Sequence, residues 1–170
     1  MSAHRDRRKG NTMVEFTLVG IPMIFILISV FEMARGMWVY HTLAYAVKEG
    51  TRYTIVHGEN CTVDPNDCAI TVGDVVDRIR QAGTGLIPDE LNLTLRSQAG
   101  DVPCNPITTC LGNTSMWPPG GSGANSVGQP ITIVGTYPFR SALAMFWPGS
   151  RPVAFTMVNF PASSTEEIQF

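Results

Sequence analysis

The chain begins with about ten polar and charged residues and then changes abruptly into an apolar run. The 18 residues from Val14 to Phe31 contain one charged side chain, Glu15. In a helix that rises about 1.5 Å per residue, this run spans roughly 27 Å, close to the ~30 Å hydrocarbon core of a bilayer. The pattern predicts a membrane-spanning helix. A buried helix of a soluble protein and a cleaved secretory signal are the alternatives, but the best small-x-small site, Ala34-Arg35-Gly36, has an arginine in its middle.

The helical pattern continues beyond the apolar run to about Val56. Large side chains recur at spacings of three or four, at Phe31, Ala34, Trp38, Thr42, Tyr45, Glu49 and Tyr53. Further apolar side chains lie beside this stripe, at Val39, Leu43 and Val47. The helix is therefore apolar over most of its circumference, which is typical of a helix covered on more than one side. We therefore expect one side to pack on a domain and the other on sister helices. Trp38 and Tyr40 suit the outer interface of a bilayer.

The remainder of the chain predicts a small α+β domain. Thr71-Val72-Gly73-Asp74 resembles a helix-capping signal. An apolar face then follows at Val72, Val75, Val76 and Ile79, and Gly83 is a plausible end of that helix.

Three segments predict strands. In Leu91–Arg96, apolar and polar residues alternate without interruption. Ile131–Phe139 also alternates, and its Pro138 indicates an edge strand or a strand end. Val153–Val158 is the third segment. Residues 99–130 are rich in Gly, Pro, Ser and Asn and predict a long loop. Its large aromatic residue, Trp117, is either an exposed contact residue or a cover that folds back onto the sheet.

Charge is distributed unevenly. Residues 1–10 hold four basic groups and one acidic group, a net of +3, so the other 160 residues hold 8 basic and 13 acidic groups, a net of −5. The acidic remainder argues against a nucleic-acid-binding domain, whose footprint is basic. A basic cluster before an apolar helix stays cytoplasmic by the positive-inside rule. This places everything after Glu32 outside.

The four cysteines, Cys61, Cys68, Cys104 and Cys110, all lie after the apolar helix. An even number on the outer side fits disulfides in an oxidising compartment. Three pairings are possible. We favour Cys61–Cys68 and Cys104–Cys110 because each pair brackets a turn-rich stretch. Zinc is the competing interpretation, but neither spacing is C-x-x-C.

The sequence gives little support for a metal site or for an enzyme active site. His41 and His57 lie in no metal-binding spacing, and the chain has no G-x-S-x-G, H-E-x-x-H or phosphate-loop motif. We expect no metal, no cofactor and no enzymatic activity.

Glu15 lies near the start of the predicted span, where a carboxylate still costs free energy to insert. It is either a helix-end glutamate that reaches the headgroups or a group that pairs with a positive charge, such as a new N-terminal amine. Acidic side chains also favour the first turns of a helix because of its dipole.

The residues around Glu15 resemble those of a known protein family. Gly10-Asn11-Thr12-Met13-Val14-Glu15-Phe16 resembles a prepilin peptidase site, with cleavage after glycine, glutamate as the fifth mature residue and an aromatic residue next. The longer pattern, with Pro22, Glu32-Met33-Ala34-Arg35 and Ala46-Val47-Lys48-Glu49-Gly50-Thr51-Arg52-Tyr53, resembles the TadE-like pseudopilins of tight-adherence (Flp-type) pili.

The resemblance implies a processing step and a packing role. A separate membrane peptidase would cleave after Gly10, recognising Gly10, Asn11, Glu15 and Phe16. It would leave an ammonium at Asn11, and the resemblance implies methylation of that amine. That ammonium would pair with Glu15 of the same or a neighbouring subunit. Glu15, Gly20 and Pro22 would act in subunit packing, although the last two equally fit an ordinary helix kink.

Together these patterns predict an α+β, pilin-like fold with a long N-terminal helix packed on a small antiparallel sheet. The expected segments are a leader (1–10), a transmembrane helix (11–33), its periplasmic extension (34–57) and a disulfide-closed periplasmic domain (58–170). The expected function is a minor pilin in the bacterial inner membrane that helps to assemble a tight-adherence pilus or related apparatus. Its expected partners are the prepilin peptidase, other pilin subunits and the membrane, with no nucleic acid. The alternative is a membrane-anchored periplasmic binding module unrelated to pili.

Overall fold

A computed structural model describes residues 7–61, 68–142 and 157–170, and the side chains from Thr12 onward. Its dominant element is a single helix, α1, which runs from Arg7 to Ile55 over 49 residues and contains Pro22. The predicted helix that continues past the apolar run to about Val56 is therefore confirmed. Residues 1–6 of the predicted leader and residues 153–156 of the third predicted strand lie outside the described residues.

The two halves of α1 have different surroundings. In the first half, nearly every described side chain up to Phe31 is exposed, including Phe16 at 77% and Phe31 at 74%. In the second half Leu43, Ala46 and Val47 are fully buried. Within the described part of the chain, the domain leaves the apolar first half exposed and so does not account for its hydrophobic surface.

A second helix, α2, runs from Val72 to Ala82 and packs against α1. Thr71 caps its N-terminus: the Thr71 hydroxyl accepts the Asp74 amide, and the Asp74 carboxylate accepts the Thr71 amide at 2.9 Å. The apolar face predicted from spacing is buried, and Gly83 forms the C-cap. The predicted bounds and cap of this helix are confirmed.

The sheet has four antiparallel strands in the order β2-β1-β3-β4. They are β1 (Asn92–Ser97), β2 (Gly100–Cys104), β3 (Pro130–Arg140) and β4 (Met157–Glu167). The face formed by Leu93, Leu95, Ile131 and Ile133 is buried against the helices. The structure therefore confirms the α+β arrangement of a long helix on a small antiparallel sheet.

Pro138 lies two residues before the end of β3. The β1–β3 register ends at the Asn92–Thr136 pair, whereas the β3–β4 register continues to Arg140 opposite Met157. Beyond Thr136, β3 is therefore open on its β1 side, where a residue without an N–H is tolerated.

The long loop predicted for residues 99–130 is only partly correct. Gly100–Cys104 forms β2, and short 3₁₀ turns follow at Ile107–Cys110 and Gly120–Ser122. Trp117 is fully buried, and its amide donates to the Ile70 carbonyl at 3.1 Å. The interpretation of Trp117 as an exposed contact residue is therefore wrong, and Trp117 folds back into the hydrophobic core.

Candidate functional site

The residues of the predicted peptidase site lie in the first turns of α1. Gly10 and Asn11 are within its helical backbone, and Glu15 and Phe16 follow with exposed side chains. Four residues separate Asn11 from Glu15, so the backbone nitrogen of Asn11 and the Glu15 side chain are one helical turn apart. The geometry allows a charge at one position to interact with a charge at the other.

Gly20 and Pro22 lie further along the exposed half. A Cβ built on Gly20 would lie 4.0 Å from the Phe16 ring, an ordinary contact. Pro22 has no N–H for the carbonyl of residue 18, so that carbonyl lacks its usual helical donor. Close by, the Thr17 hydroxyl donates to the Met13 carbonyl at 2.6 Å, a bond of the kind often associated with helix bending.

Where the exposed half of α1 ends, two charged side chains attach the helix to the sheet. The Glu32 carboxylate accepts the Ala142 amide at 2.9 Å, and it also pairs with Arg35 at 3.1 Å. The Arg35 guanidinium in turn donates to the Arg140 carbonyl. These bonds join α1 to the end of β3 and the residues just after it, across 105 and 110 positions of sequence. We call Glu32 and Arg35 the junction clamp.

Aromatic packing reinforces the junction clamp. The Arg35 guanidinium carbon lies 4.7 Å from the centre of the Phe139 ring, in the geometry of a cation–π contact. Phe139 and Phe160 stack with their ring centres 5.3 Å apart. A Cβ built on Gly36 would contact both rings at 3.6–3.8 Å, so the helix backbone lies close against this pair.

A second attachment joins α1 to α2. The Arg78 guanidinium pairs with Glu49 at 2.7 Å and lies 5.9 Å from the Tyr53 ring. Between them, Gly50 lies so close to Ile79 that a Cβ would be 2.4 Å from Ile79 Cγ1. Only glycine allows the two helices to approach to this distance. We call Glu49, Gly50 and Tyr53 the helix-docking motif.

The sheet approaches the same face of α1 closely, again at a glycine. A Cβ on Gly135 of β3 would lie 2.8 Å from Val47 Cγ2 and 3.2 Å from Leu43 Cδ1. One face of the second half of α1 thus packs on both α2 and the sheet, and side-chain volume limits how closely each can approach.

The four cysteines form two disulfides, Cys61–Cys68 and Cys104–Cys110, with Cα atoms 5.7 and 5.6 Å apart. This is the pairing favoured from the sequence, and it excludes the zinc interpretation because both sulfurs of each pair are used. The second disulfide closes the segment after β2 and lies in the core, since Cys104 is fully buried and Cys110 is 5% exposed.

The histidines have ordinary local partners. His57 is buried, and its Nδ1 lies 2.6 Å from the Tyr53 carbonyl oxygen. His41 is exposed beside Tyr40, with ring centres 5.8 Å apart. Within the described ranges, no group of three or more His, Cys, Asp or Glu side chains is arranged to hold a metal ion.

By length and composition, α1 is long enough and apolar enough to cross a membrane. Its most apolar 18-residue window has a mean hydropathy of 2.3, and none of that window is buried. A window without a buried residue, among those the structure describes, distinguishes it from the core helix of a soluble domain, which passes the same length test but is mostly buried.

Comparison with protein families gives a match to the long helix. The family model described as TadE-like protein matches residues 10–52. No curated protein and no solved structure matches the chain at a significant level. The matched range lies within α1, beginning at Gly10 and containing the junction clamp and most of the helix-docking motif.

The match confirms the resemblance inferred from the sequence and connects it to geometry. The sequence pattern pointed to Glu32, Arg35, Glu49 and Gly50 without indicating what they contact. The structure shows that all four attach α1 to the domain. Arg78 was missed, because nothing in the sequence distinguishes it from the other exposed basic residues of α2.

Proposed function

We propose that this protein, whose residues 10–52 match the TadE-like family, is a minor pilin or pseudopilin that helps to assemble a tight-adherence pilus or a related secretion apparatus. The observation that carries the proposal is α1 itself. One continuous helix presents an apolar half that is exposed among the described residues, while its other half is fixed to a disulfide-containing α+β domain. A subunit built in this way contributes to a filament by packing its helix and not by chemical catalysis, so we propose no enzymatic role.

In this proposal the exposed half of α1 spans the bacterial inner membrane. The basic leader remains in the cytoplasm by the positive-inside rule, and the domain lies in the periplasm. Two disulfides outside the span support that orientation, because such bonds persist in oxidising compartments.

A prepilin peptidase would then cleave between Gly10 and Asn11. Both residues lie in the first turns of α1, so the helix must unwind locally before the bond becomes extended in a peptidase cleft. The first turn of a helix lacks several backbone hydrogen bonds, and glycine adds little resistance to extension. Unwinding is therefore easier here than at a glycine-free position in the middle of a regular helix.

Cleavage would place an ammonium at Asn11, one helical turn before Glu15. In the low-dielectric membrane, opposite charges attract strongly and an uncompensated carboxylate is costly. Pairing within one subunit or between neighbours neutralises both groups. The exposed apolar surface around Glu15, Gly20 and Pro22 would pack against the helices of other subunits.

The two attachments give the helix a defined direction relative to the domain. The junction clamp fixes α1 where it leaves the membrane, and the helix-docking motif fixes it about four to five turns further on. Forces on the domain are therefore transmitted to the membrane helix without a flexible linker, as a subunit of an extracellular filament requires.

The test is complementation of a deletion strain with Glu15→Ala. We expect the variant to reach the inner membrane in normal amounts yet to give few or no surface pili, because the charge pairing is lost. Thr17→Ala is the matched control, since it is exposed on the same helix and removes only a bond to its own backbone. Normal piliation by Glu15→Ala would refute the pairing role.

A further inference from the structure

The second half of α1 carries five exposed residues on one face, separated alternately by three and four positions. They are Trp38, His41, Tyr45, Lys48 and Arg52, and we call them the outer stripe. Trp38 is 65% exposed and Tyr45 is 59% exposed. Residues at these spacings lie above one another on a helix, so the outer stripe forms a continuous seam.

The outer stripe lies on the side of α1 that faces away from the domain. The buried residues of the same segment, Leu43, Ala46, Val47 and Gly50, pack on α2 and the sheet. At about 100° per residue, the mean direction of these four side chains is roughly 180° from that of the outer stripe. The domain therefore leaves the whole outer stripe available to a partner.

The same alternation continues toward the membrane. Steps of four and three residues lead from the outer stripe to Ala34, Phe31, Leu27, Ile24 and Gly20, which are exposed or half-buried. A seam at heptad spacing over this length is the pattern by which two helices pack along one another. Its lower part is apolar, and its upper part is aromatic and basic.

The upper end of the outer stripe is positively charged. Neither Lys48 nor Arg52 forms an ion pair with a carboxylate that the structure describes, whereas the neighbouring Glu49 is engaged by Arg78. A cation within a packing seam selects the partner and its register, because covering it without an opposite charge is unfavourable. The outer stripe thus requires carboxylates on the helix that covers it.

A second copy of α1 does not supply these carboxylates. Two parallel copies in register would place Lys48 against Lys48 and Arg52 against Arg52, and like charges at such positions repel. Beyond Glu15, the acidic residues of α1 are Glu32 and Glu49. Glu32 accepts the Ala142 amide and Glu49 pairs with Arg78, so both are already used to hold the domain.

A cleft beside the outer stripe offers space for a partner side chain. Its volume is about 310 Å³, and Tyr45 of α1 faces Gln81 and Thr84 of the α2 end across it. Trp38 lies at the same side of the helix, and its Nε1 is 3.8 Å from a Cβ built on Gly85. Exposed Trp and Tyr rings beside a cleft are typical of the energetically important residues of an interface.

We infer that the outer stripe binds the parallel helix of a different membrane subunit. That helix has aspartate or glutamate opposite Lys48 and Arg52, and apolar or aromatic residues opposite Trp38 and Tyr45. The inference rests on the proposed function, in which subunits pack through their helices, and it adds that this partner is not a second copy. The charges that attract the partner also keep two copies of this chain apart.

The test is photo-crosslinking of the full-length chain in its native host, with a benzophenone side chain in place of Tyr45. The crosslinked peptides are identified by mass spectrometry. We expect a product that joins position 45 to a helix of another membrane subunit, within about two turns of an Asp or Glu. The double variant Lys48→Glu, Arg52→Glu should lower the crosslinking yield by at least about threefold.

The matched control is the double variant Arg80→Glu, Arg96→Glu. It makes the same change in net charge at side chains that are 46% and 54% exposed, on α2 and on β1. Its crosslinking yield should equal that of the parent chain. Replacing the acidic residues of the crosslinked subunit by lysine should then restore the yield with Lys48→Glu, Arg52→Glu, which shows that the charges themselves are paired.

The outcomes separate this inference from the proposed function. A product between two copies, a product with lipid or with residues 62–67 of the same chain, or no product overturns the inference. A yield that ignores the charge reversal or is not restored by the lysine exchange also overturns it. Piliation is scored in the same strains. A charge-dependent product with normal piliation in Lys48→Glu, Arg52→Glu supports the partner and counts against the proposed role in pilus assembly.

Discussion

Gly50 provides the sharpest test of how the long helix is fixed to its domain. A Cβ at this position would lie 2.4 Å from Ile79 Cγ1 and 2.7 Å from Ile79 Cδ1, well inside van der Waals contact. Both helices are bounded by other packed elements, so neither moves away freely. Forced overpacking of this kind typically costs about 1–3 kcal/mol.

Gly50→Ala also has a stabilising contribution, because alanine is more favourable than glycine inside a helix by roughly 0.8–1 kcal/mol. Gly36→Ala is the matched control. It lies in the same helix, gains the same propensity, and its Cβ makes ordinary contacts at 3.6–3.8 Å. The difference in unfolding free energy between the two variants therefore isolates the overpacking term, about 1–3 kcal/mol, with Gly50→Ala the less stable.

Urea denaturation of the full-length protein in detergent micelles measures this difference. Adding Ile79→Ala removes the two atoms that Gly50→Ala would meet too closely and leaves Ile133 Cδ1 at 3.4 Å, an ordinary contact. In that background Gly50→Ala should become stabilising by up to about 1 kcal/mol, and the double-mutant cycle gives the coupling directly. The reasoning fails if Gly50→Ala is as stable as Gly36→Ala, or if Ile79→Ala leaves its effect unchanged.

Three further predictions concern other parts of the domain. The hydrogen bonds from Thr71 lower the pKa of Asp74 below its ordinary value of 3.8, so its stabilising effect is complete above that value and is lost as the pH falls through the lowered pKa. Asp74→Asn should lower the free energy of unfolding by about 1 kcal/mol at pH 7 and should flatten the acid side of the stability–pH profile. An unaltered profile would exclude a stabilising role for the Asp74 carboxylate. Replacing Cys104 and Cys110 together by serine should lower the unfolding free energy by about 2–2.5 kcal/mol in non-reducing denaturation, beyond any cost of burying two hydroxyls, and an unchanged midpoint would count against it. Glu32→Ala should lower the free energy of unfolding by about 1.5–3 kcal/mol and accelerate hydrogen exchange at the Ala142 amide. Glu32→Gln retains a hydrogen-bond acceptor and should lose less stability. Equal exchange at Ala142 in the wild type and both variants would show that Glu32 does not hold this amide.

The sequence predicted best those elements whose side chains repeat with a regular period. Helix α2 has a capping residue and a four-residue apolar face, and β1 alternates without interruption, so both were located nearly to the residue. The paired cysteines were also predictable, because each pair closes a short loop.

Elements held by their neighbours were not predictable in this way. Residues 159–167 of β4 are mostly small and polar, and they form a strand because β3 pairs with them over its whole length. Strand β2 contains a glycine and a proline and depends on its pairing with β1. Its register is set by a two-residue turn, and its sequence carries no alternation that would reveal it.

In the candidate site, too, the sequence identified residues but not the tertiary contacts that they make. The family resemblance indicated Glu32, Arg35, Glu49 and Gly50, but their contacts depend on the tertiary structure. The partners of Glu32 and Arg35 are more than a hundred residues away, and Arg78 is 29 residues from Glu49. No local pattern connects such positions, so their attachment role emerged only from the fold.

The central claim is that α1 is a prepilin helix that becomes functional after cleavage behind Gly10. Intact-mass measurement of the protein from its native host, with and without the prepilin peptidase, tests this claim most directly. The account predicts a mature chain that begins at Asn11 in the presence of the peptidase and a chain that retains its leader in its absence. A chain that keeps residues 1–10 in a host with active peptidase would contradict it.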